Sequence, residues 1–185
     1  MSGLCGGAAP EAFALVAYLP EPLAGFVNRV RRELSPGCSH RAHITILPPR
    51  QLACGRTIAS RELQPYLSHA RAFRVELGSI GVFRISEVVY LSIGAGLREL
   101  HQLHQCLNQG RCLASEVWDY EPHVTLAQDL DSSDIDRARD LAGLRWREYT
   151  GPREFLLDRA TFVQGSPERG WVDLESFELL SPVLA

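Results

Sequence analysis

The sequence lacks a basic excess: 19 Lys and Arg stand against 22 Asp and Glu, a formal charge of −3 with histidine neutral. A protein that wraps duplex nucleic acid neutralises many phosphates and usually shows the opposite balance. Long duplexes are therefore not the expected partner, and a small substrate or the end of an RNA strand fits better. No run approaches the ~20 apolar residues that span a bilayer, so no membrane association is expected. The first ten residues are small and glycine-rich without a basic residue, a poor signal peptide. Residues 1–11 read as a flexible tail, and the cytoplasm is the expected compartment. The five cysteines are odd in number and contain no C-x-x-C pair. That excludes a disulfide framework and a zinc ligand set, and it suits free thiols in a reducing compartment. No metal and no cofactor are expected.

What is present is ordinary globular composition: 185 residues, 45% hydrophobic and 22% charged. This length suits one domain, or two small lobes sharing one core. Residues 12–185 are read as that single bilobal unit, expected to be a monomer.

Phe13 to Leu19 is a short apolar run closed by Pro20, a buried strand. Leu23, Phe26, Val27, Val30 and Leu34 recur at helical steps, with Pro22 tolerated in the first turn and Pro36-Gly37 as the stop. His43 to Leu47 is a second strand, ended by Pro48-Pro49, and Thr57 to Ala70 looks helical. Phe73 to Phe83 and Glu87 to Ile93 alternate apolar and polar residues and pair as a hairpin. Leu97, Leu100, Leu103, His104 and Leu107 form a helical face. His123 to Ala127 is another strand, Asp131 to Asp134 starts another helix, and Phe155 to Val163 with Trp171 to Leu179 make a last strand pair around a Gly165 to Gly170 turn. Each half thus has a strand, a helix and two strands in that order. The pattern predicts an α+β fold with two antiparallel lobes joined side by side.

The two corresponding strands carry His43-Ile44-Thr45 and His123-Val124-Thr125, eighty residues apart. Side chains alternate along a strand, so each imidazole shares a face with a hydroxyl while the apolar neighbours face the other way. Six His and five Thr in 185 residues predict roughly 0.16 His-x-Thr occurrences by chance, against two found. Burying both pairs without function would require a partner for every polar atom.

Two imidazoles at one cavity suit phosphate-ester chemistry. With an unperturbed pKa of about 6.5, one can take a proton while the other, beside a phosphate, holds one. The first activates water or a ribose hydroxyl and the second protonates the departing oxygen. The threonine hydroxyls can donate to non-bridging phosphate oxygens. This scheme requires no metal.

These paired hydrophobic-His-x-Thr-hydrophobic strands resemble the two-histidine (2H) phosphoesterase superfamily, which includes 2′-5′ RNA ligase-like proteins and cyclic nucleotide phosphodiesterases. Gly81-Val82-Phe83, the strand VVYLSI from Val88 to Ile93, and WVDLESFELL after the last glycine turn extend the likeness over residues 12 to 180. The resemblance implies a bilobal, duplicated fold: two antiparallel sheets facing across a central groove, with helices on the outer faces. It implies His43 and His123 as the acid/base pair, Thr45 and Thr125 as phosphate ligands, and a nucleotide or RNA-end substrate carrying a 2′,3′-cyclic or other 2′-linked phosphate. Ligation to a 2′-5′ linkage and a non-catalytic nucleotide-binding role are the alternatives. One departure is Pro48-Pro49-Arg50, where many relatives carry a Phe-Leu-Gly-like stretch.

Further candidates are weaker. Arg50 could meet a phosphate or be a solubilising charge. Tyr120 could stack on a base or simply pack, and Phe83 and Trp171 share that ambiguity, with packing favoured. His101 and His104, at i and i+3, read as a solvated helix face. His40 and His69 read as surface residues, although His40 lies near enough to the first motif to approach a ligand.

Overall fold

The structure, a computed structural model, describes residues 12–181 except 39, 53 and 167–169. The expected 1–11 tail and most of the last glycine turn lie outside the described residues. The elements are β1 (Phe13–Tyr18), α1 (Leu23–Leu34), β2 (His43–Arg50), α2 (Arg56–His69), β3 (Phe73–Phe83), β4 (Val88–Ile93), α3 (Leu97–Leu107), a 3-10 turn (Gly110–Cys112), β5 (His123–Ala127), α4 (Ile135–Glu148), β6 (Glu154–Leu157), β7 (Arg159–Ser166) and β8 (Gly170–Glu178).

They form two four-stranded antiparallel sheets, ordered β2-β1-β7-β8 and β5-β4-β3-β6. Helices α2 and α3 lie against the first sheet, α1 and α4 against the second, and one buried apolar cluster runs through all of them. Along α1 the predicted stripe Leu23, Phe26, Val27 and Val30 is buried, and Arg31 and Arg32 sit in the last turn, where a cation suits the helix dipole. The expected fold class therefore stands.

The path of the chain differs from the simple reading in three ways. Strand β2 continues through Pro48-Pro49 to Arg50, which pairs with Phe13. It is an edge strand, so a residue without N–H can sit there with its donor side unpaired. The stretch from Phe155 to Val163 is two strands broken at Asp158: β6 pairs with β3 in one sheet and β7 with β1 in the other. Finally, the two sequence halves are not the two lobes. The β3–β4 hairpin that follows the first motif joins the sheet of the second motif, and the C-terminal β7–β8 pair joins the sheet of the first. Periodicity reports which face of a strand is apolar, not which sheet receives it.

Among the described residues no helix is long and apolar enough to cross a membrane. Cys38, Cys54, Cys106 and Cys112 form no disulfide among the described residues.

Candidate active site

The strands β2 and β5 are edge strands of their own sheets and run beside one another. They line a common cavity of about 1060 Å3 to which His43, Thr45, His123 and Thr125 all contribute. A cavity of that size takes a nucleotide-sized ligand with room to spare. The residues between, Ile44, Ile46, Val124 and Leu126, are buried on the opposite face. The four polar residues are only partly covered.

The two motifs have matching backbone geometry. Each strand carries a bulge one residue after its threonine. The register steps from Val16↔Thr45 to Leu15↔Leu47, leaving Ile46 unpaired, and from Tyr90↔Thr125 to Val89↔Ala127, leaving Leu126 unpaired. Such bulges re-aim side chains locally. Each histidine bonds through Nδ1 to the carbonyl two residues upstream: His43 to Arg41 O at 2.7 Å, His123 to Glu121 O at 2.7 Å. A carbonyl can only accept, so Nδ1 carries the proton and donates it. That leaves Nε2, on the far side of each ring, to exchange a proton with a ligand. Among the described residues neither threonine hydroxyl has a protein partner.

Burial, above all, lowers the pKa of both imidazoles. His43 is pushed down to about 3 by burial first and then by the Arg31 guanidinium, with His40 and His123 adding to it. His123 is lowered by burial, but the Glu121 carboxylate works in the opposite direction. Without an anion in the groove both rings are neutral near pH 7. A bound anion would supply the missing counter-charge.

Arg31 is the main cavity-lining side chain that motif reading misses. It is 4% exposed, lines the cavity, and donates Nε to Thr125 O (2.7 Å) and Nη1 to His40 O and Arg41 O (both 3.1 Å). Its signal was positional: it falls four residues after Val27 and three before Leu34, on the apolar stripe of α1. A buried arginine there has to be held by acceptors. Glu116 and Glu121 are also missed. Glu121 could have been suspected because it mirrors Arg41, each two residues before its histidine. Glu116 carried no signal.

The weaker candidates sort themselves by contact. Phe83 lines the cavity beside His123 (ring centroids 5.0 Å, edge-on) and stacks on Tyr90 at 4.0 Å. Gly81 permits this, because a Cβ there would lie 2.5 Å from the Tyr90 ring. Trp171 and His40 also line the cavity, 5.9 Å apart, with His40 6.5 Å from His43. His69 remains at the surface.

Arg50 lines the cavity but is no solubilising charge. It is 7% exposed, and its guanidinium is bound to Pro48 O, Asn108 Oδ1, Cys112 O and Glu116 Oε1. The expectation of a solvated face fails for His104, which is 9% exposed, donates Nδ1 to Ile46 O at 2.8 Å and faces Glu116 with Nε2. That bond satisfies the carbonyl left over at the bulge. The His101 half of the prediction holds. Tyr120 has one ring face covered by His104 (3.8 Å, 7° between planes), and its hydroxyl donates to Thr45 O at 2.9 Å. It is packed, so it is no open platform for a base. The exposed aromatic on that loop is Trp118, which lines the cavity with Val117; Ile85 does so from the β3–β4 turn.

Several known proteins are similar to this chain. A phosphoesterase by name from Oceanobacillus iheyensis is 22% identical over 122 residues, covering 64% of this chain and 67% of that one. Crystal structures of E. coli LigT with 3′-AMP (TM-score 0.64, 18% identity, 92% of this chain and 98% of that one) and of TT0787 of Thermus thermophilus (0.63, 17%, 92% and 98%) share the fold. The sequence model described as the 2′-5′ RNA ligase superfamily matches residues 19–168. The chain therefore belongs to the 2′-5′ RNA ligase superfamily, the two-histidine phosphoesterases.

Proposed function

We propose that this protein is a metal-independent phosphodiesterase that opens 2′,3′-cyclic or related 2′-linked phosphate esters of nucleotides or RNA ends. The observation that carries this reading is the matched pair of imidazoles. Both have Nδ1 tied to backbone and Nε2 left for a ligand, and both line one groove with two unspent hydroxyls. In the reaction, one Nε2 takes a proton from water as the water oxygen bonds to phosphorus. The bond from phosphorus to one ribose oxygen breaks, and the second Nε2–H protonates that oxygen. Each transfer is worth roughly 10²- to 10⁴-fold. Thr45 and Thr125 donate to the non-bridging oxygens, whose charge grows during attack.

Neighbouring charge supports a division of roles. Arg31 disfavours a proton on both rings, but only His123 has a carboxylate beside it, Glu121, that favours one, and His43 has His40 against it as well. His43 is thus the base that activates water, and His123 is the acid. The apolar rim of Trp118, Val117 and Ile85 suits a nucleobase. The LigT crystals with phosphate, 3′-AMP and NADP+ support a nucleotide-type ligand for a groove of this fold.

The test is a screen with EDTA present against 2′,3′-cyclic nucleotides, a cyclic phosphate of ADP-ribose and 2′-5′ dinucleotides. Turnover of at least one, abolished by either His43→Ala or His123→Ala, is the expected result. Tight binding without turnover across the panel would replace the enzyme with a binding module.

A further inference from the structure

Two edge strands lying side by side present backbone carbonyls that no sheet neighbour takes. Among the described residues no strand ladder joins β2 to β5. The distance between the two imidazoles therefore depends on whatever else links these strands.

At the two motifs themselves, two side chains span the gap, and they do so reciprocally. Tyr120, three residues before His123, donates its hydroxyl to Thr45 O of the first motif at 2.9 Å. Arg31 donates to the carbonyls of His40 and Arg41, three and two residues before His43, and to Thr125 O of the second motif at 2.7 Å. Each brace runs from the approach to one histidine to the threonine carbonyl of the other motif. The positions correspond: His40 stands three residues before His43 as Tyr120 stands before His123. On one side the tyrosine spans the gap directly; on the other the guanidinium of Arg31 spans it from α1. Both braces are anchored one residue or less from the carbonyls of Arg41 and Glu121, which orient the two rings.

Neither brace is loose. The Tyr120 ring lies flat on His104, which is fixed by Ile46 O. Glu116, on the Tyr120 loop, reaches buried Arg50 at 2.9 Å. Burial also raises the Tyr120 pKa, so the phenol keeps the proton it donates.

We propose that Tyr120 and Arg31 are positioning residues that set the spacing of His43 and His123 around one phosphorus. The inference rests on the phosphodiesterase reading. It predicts that loss of a brace slows the chemical step while leaving ligand capture intact, since reacting groups displaced by about 1 Å can lose ~10²-fold in rate.

The variant of choice is Tyr120→Phe, which keeps the ring stack and deletes only the hydroxyl. Its kcat on a 2′,3′-cyclic nucleotide should fall about 10- to 100-fold, with KM within about twofold and the enzyme still folded by circular dichroism. Arg31→Lys keeps the charge, cannot span the same three carbonyls, and should show the same kcat-selective loss. A second measurement needs no turnover: 15N NMR of the imidazoles during titration with inorganic phosphate. In the wild type both Nε2 signals should move with one dissociation constant. In Tyr120→Phe the constant should stay within about twofold while the shift at one of the two Nε2 atoms shrinks. Unchanged kcat in folded Tyr120→Phe, or full wild-type shifts at both Nε2 atoms in that variant, would overturn the proposal. A wild type that turns over no substrate and whose imidazoles ignore phosphate would sink the phosphodiesterase reading first, and this inference with it.

Discussion

The first and second motifs are alike in backbone and unlike in charge. Both strands bulge one residue after the threonine, both histidines donate Nδ1 to a carbonyl two residues upstream, and both threonine carbonyls are capped by a side chain from the other half of the chain. The surroundings then diverge. His43 has His40 and Trp171 at its end of the groove, and Arg41 two residues upstream lies over Tyr18 and pairs with Asp173. His123 has Phe83, Tyr90 and Glu121, whose carboxylate makes no hydrogen bond or ion pair among the described residues. A repeated backbone delivers two equivalent imidazoles. Acid/base chemistry needs two inequivalent ones, and the neighbouring charges supply the difference.

The largest predicted effect ignores that difference. His43→Ala and His123→Ala should each cost roughly 10²- to 10⁴-fold in kcat, because each proton transfer is needed. Assays at saturating 2′,3′-cyclic nucleotide check this, and a histidine whose loss costs less than tenfold would break the equivalence. Next come the hydroxyls. Thr45→Val and Thr125→Val should each lower kcat about 10- to 10²-fold, less than a histidine, by removing one donor to the growing charge.

Arg50 sharpens the comparison by standing outside it. Arg50→Met should destabilise the fold by about 3 kcal/mol, since Glu116 would lose its buried partner, while KM changes little. Thermal unfolding and steady-state kinetics separate that from a ligand role. Arg50→Met with Glu116→Gln should recover part of the stability.

The pH dependence follows from His43. Its folded pKa lies below its unfolded one, so the unfolded chain binds the extra proton. Stability is then fully present above about pH 6.5 and is lost as pH falls toward the folded value. Between pH 7 and pH 5 the loss is about 1–2 kcal/mol, smaller in His43→Asn and smaller with phosphate bound. The smallest effect is the most specific to the asymmetry. Glu121→Gln should move the alkaline limb of the kcat profile down by about half a pH unit, because His123 then gives up its proton more readily. Arg41→Gln should leave that limb in place.

Much of this site is legible in the sequence alone. His43, Thr45, His123 and Thr125 announced themselves by pairing and by strand alternation, which is local and survives any tertiary arrangement. Most element boundaries were legible for the same reason. The exchange of hairpins between sheets was not, because alternation in Phe73–Phe83 or Phe155–Val163 reads the same in either sheet. Arg50 and His104 misled because polar residues are usually exposed. Their burial depends on Glu116, Asn108 and the Ile46 bulge, which meet them only in three dimensions. For Tyr120 two readings stay open in the sequence, and the fold favours packing: its ring is engaged by His104, sixteen residues upstream.

The most direct test of two imidazoles serving one phosphorus is additivity. Turnover of a 2′,3′-cyclic nucleotide in EDTA is measured for wild type, His43→Ala, His123→Ala and the double variant. Groups that act as a unit are strongly non-additive. The double variant should therefore be no slower than the slower single variant, near the uncatalysed rate. Two losses that multiply, or either single variant retaining wild-type turnover, would contradict the account.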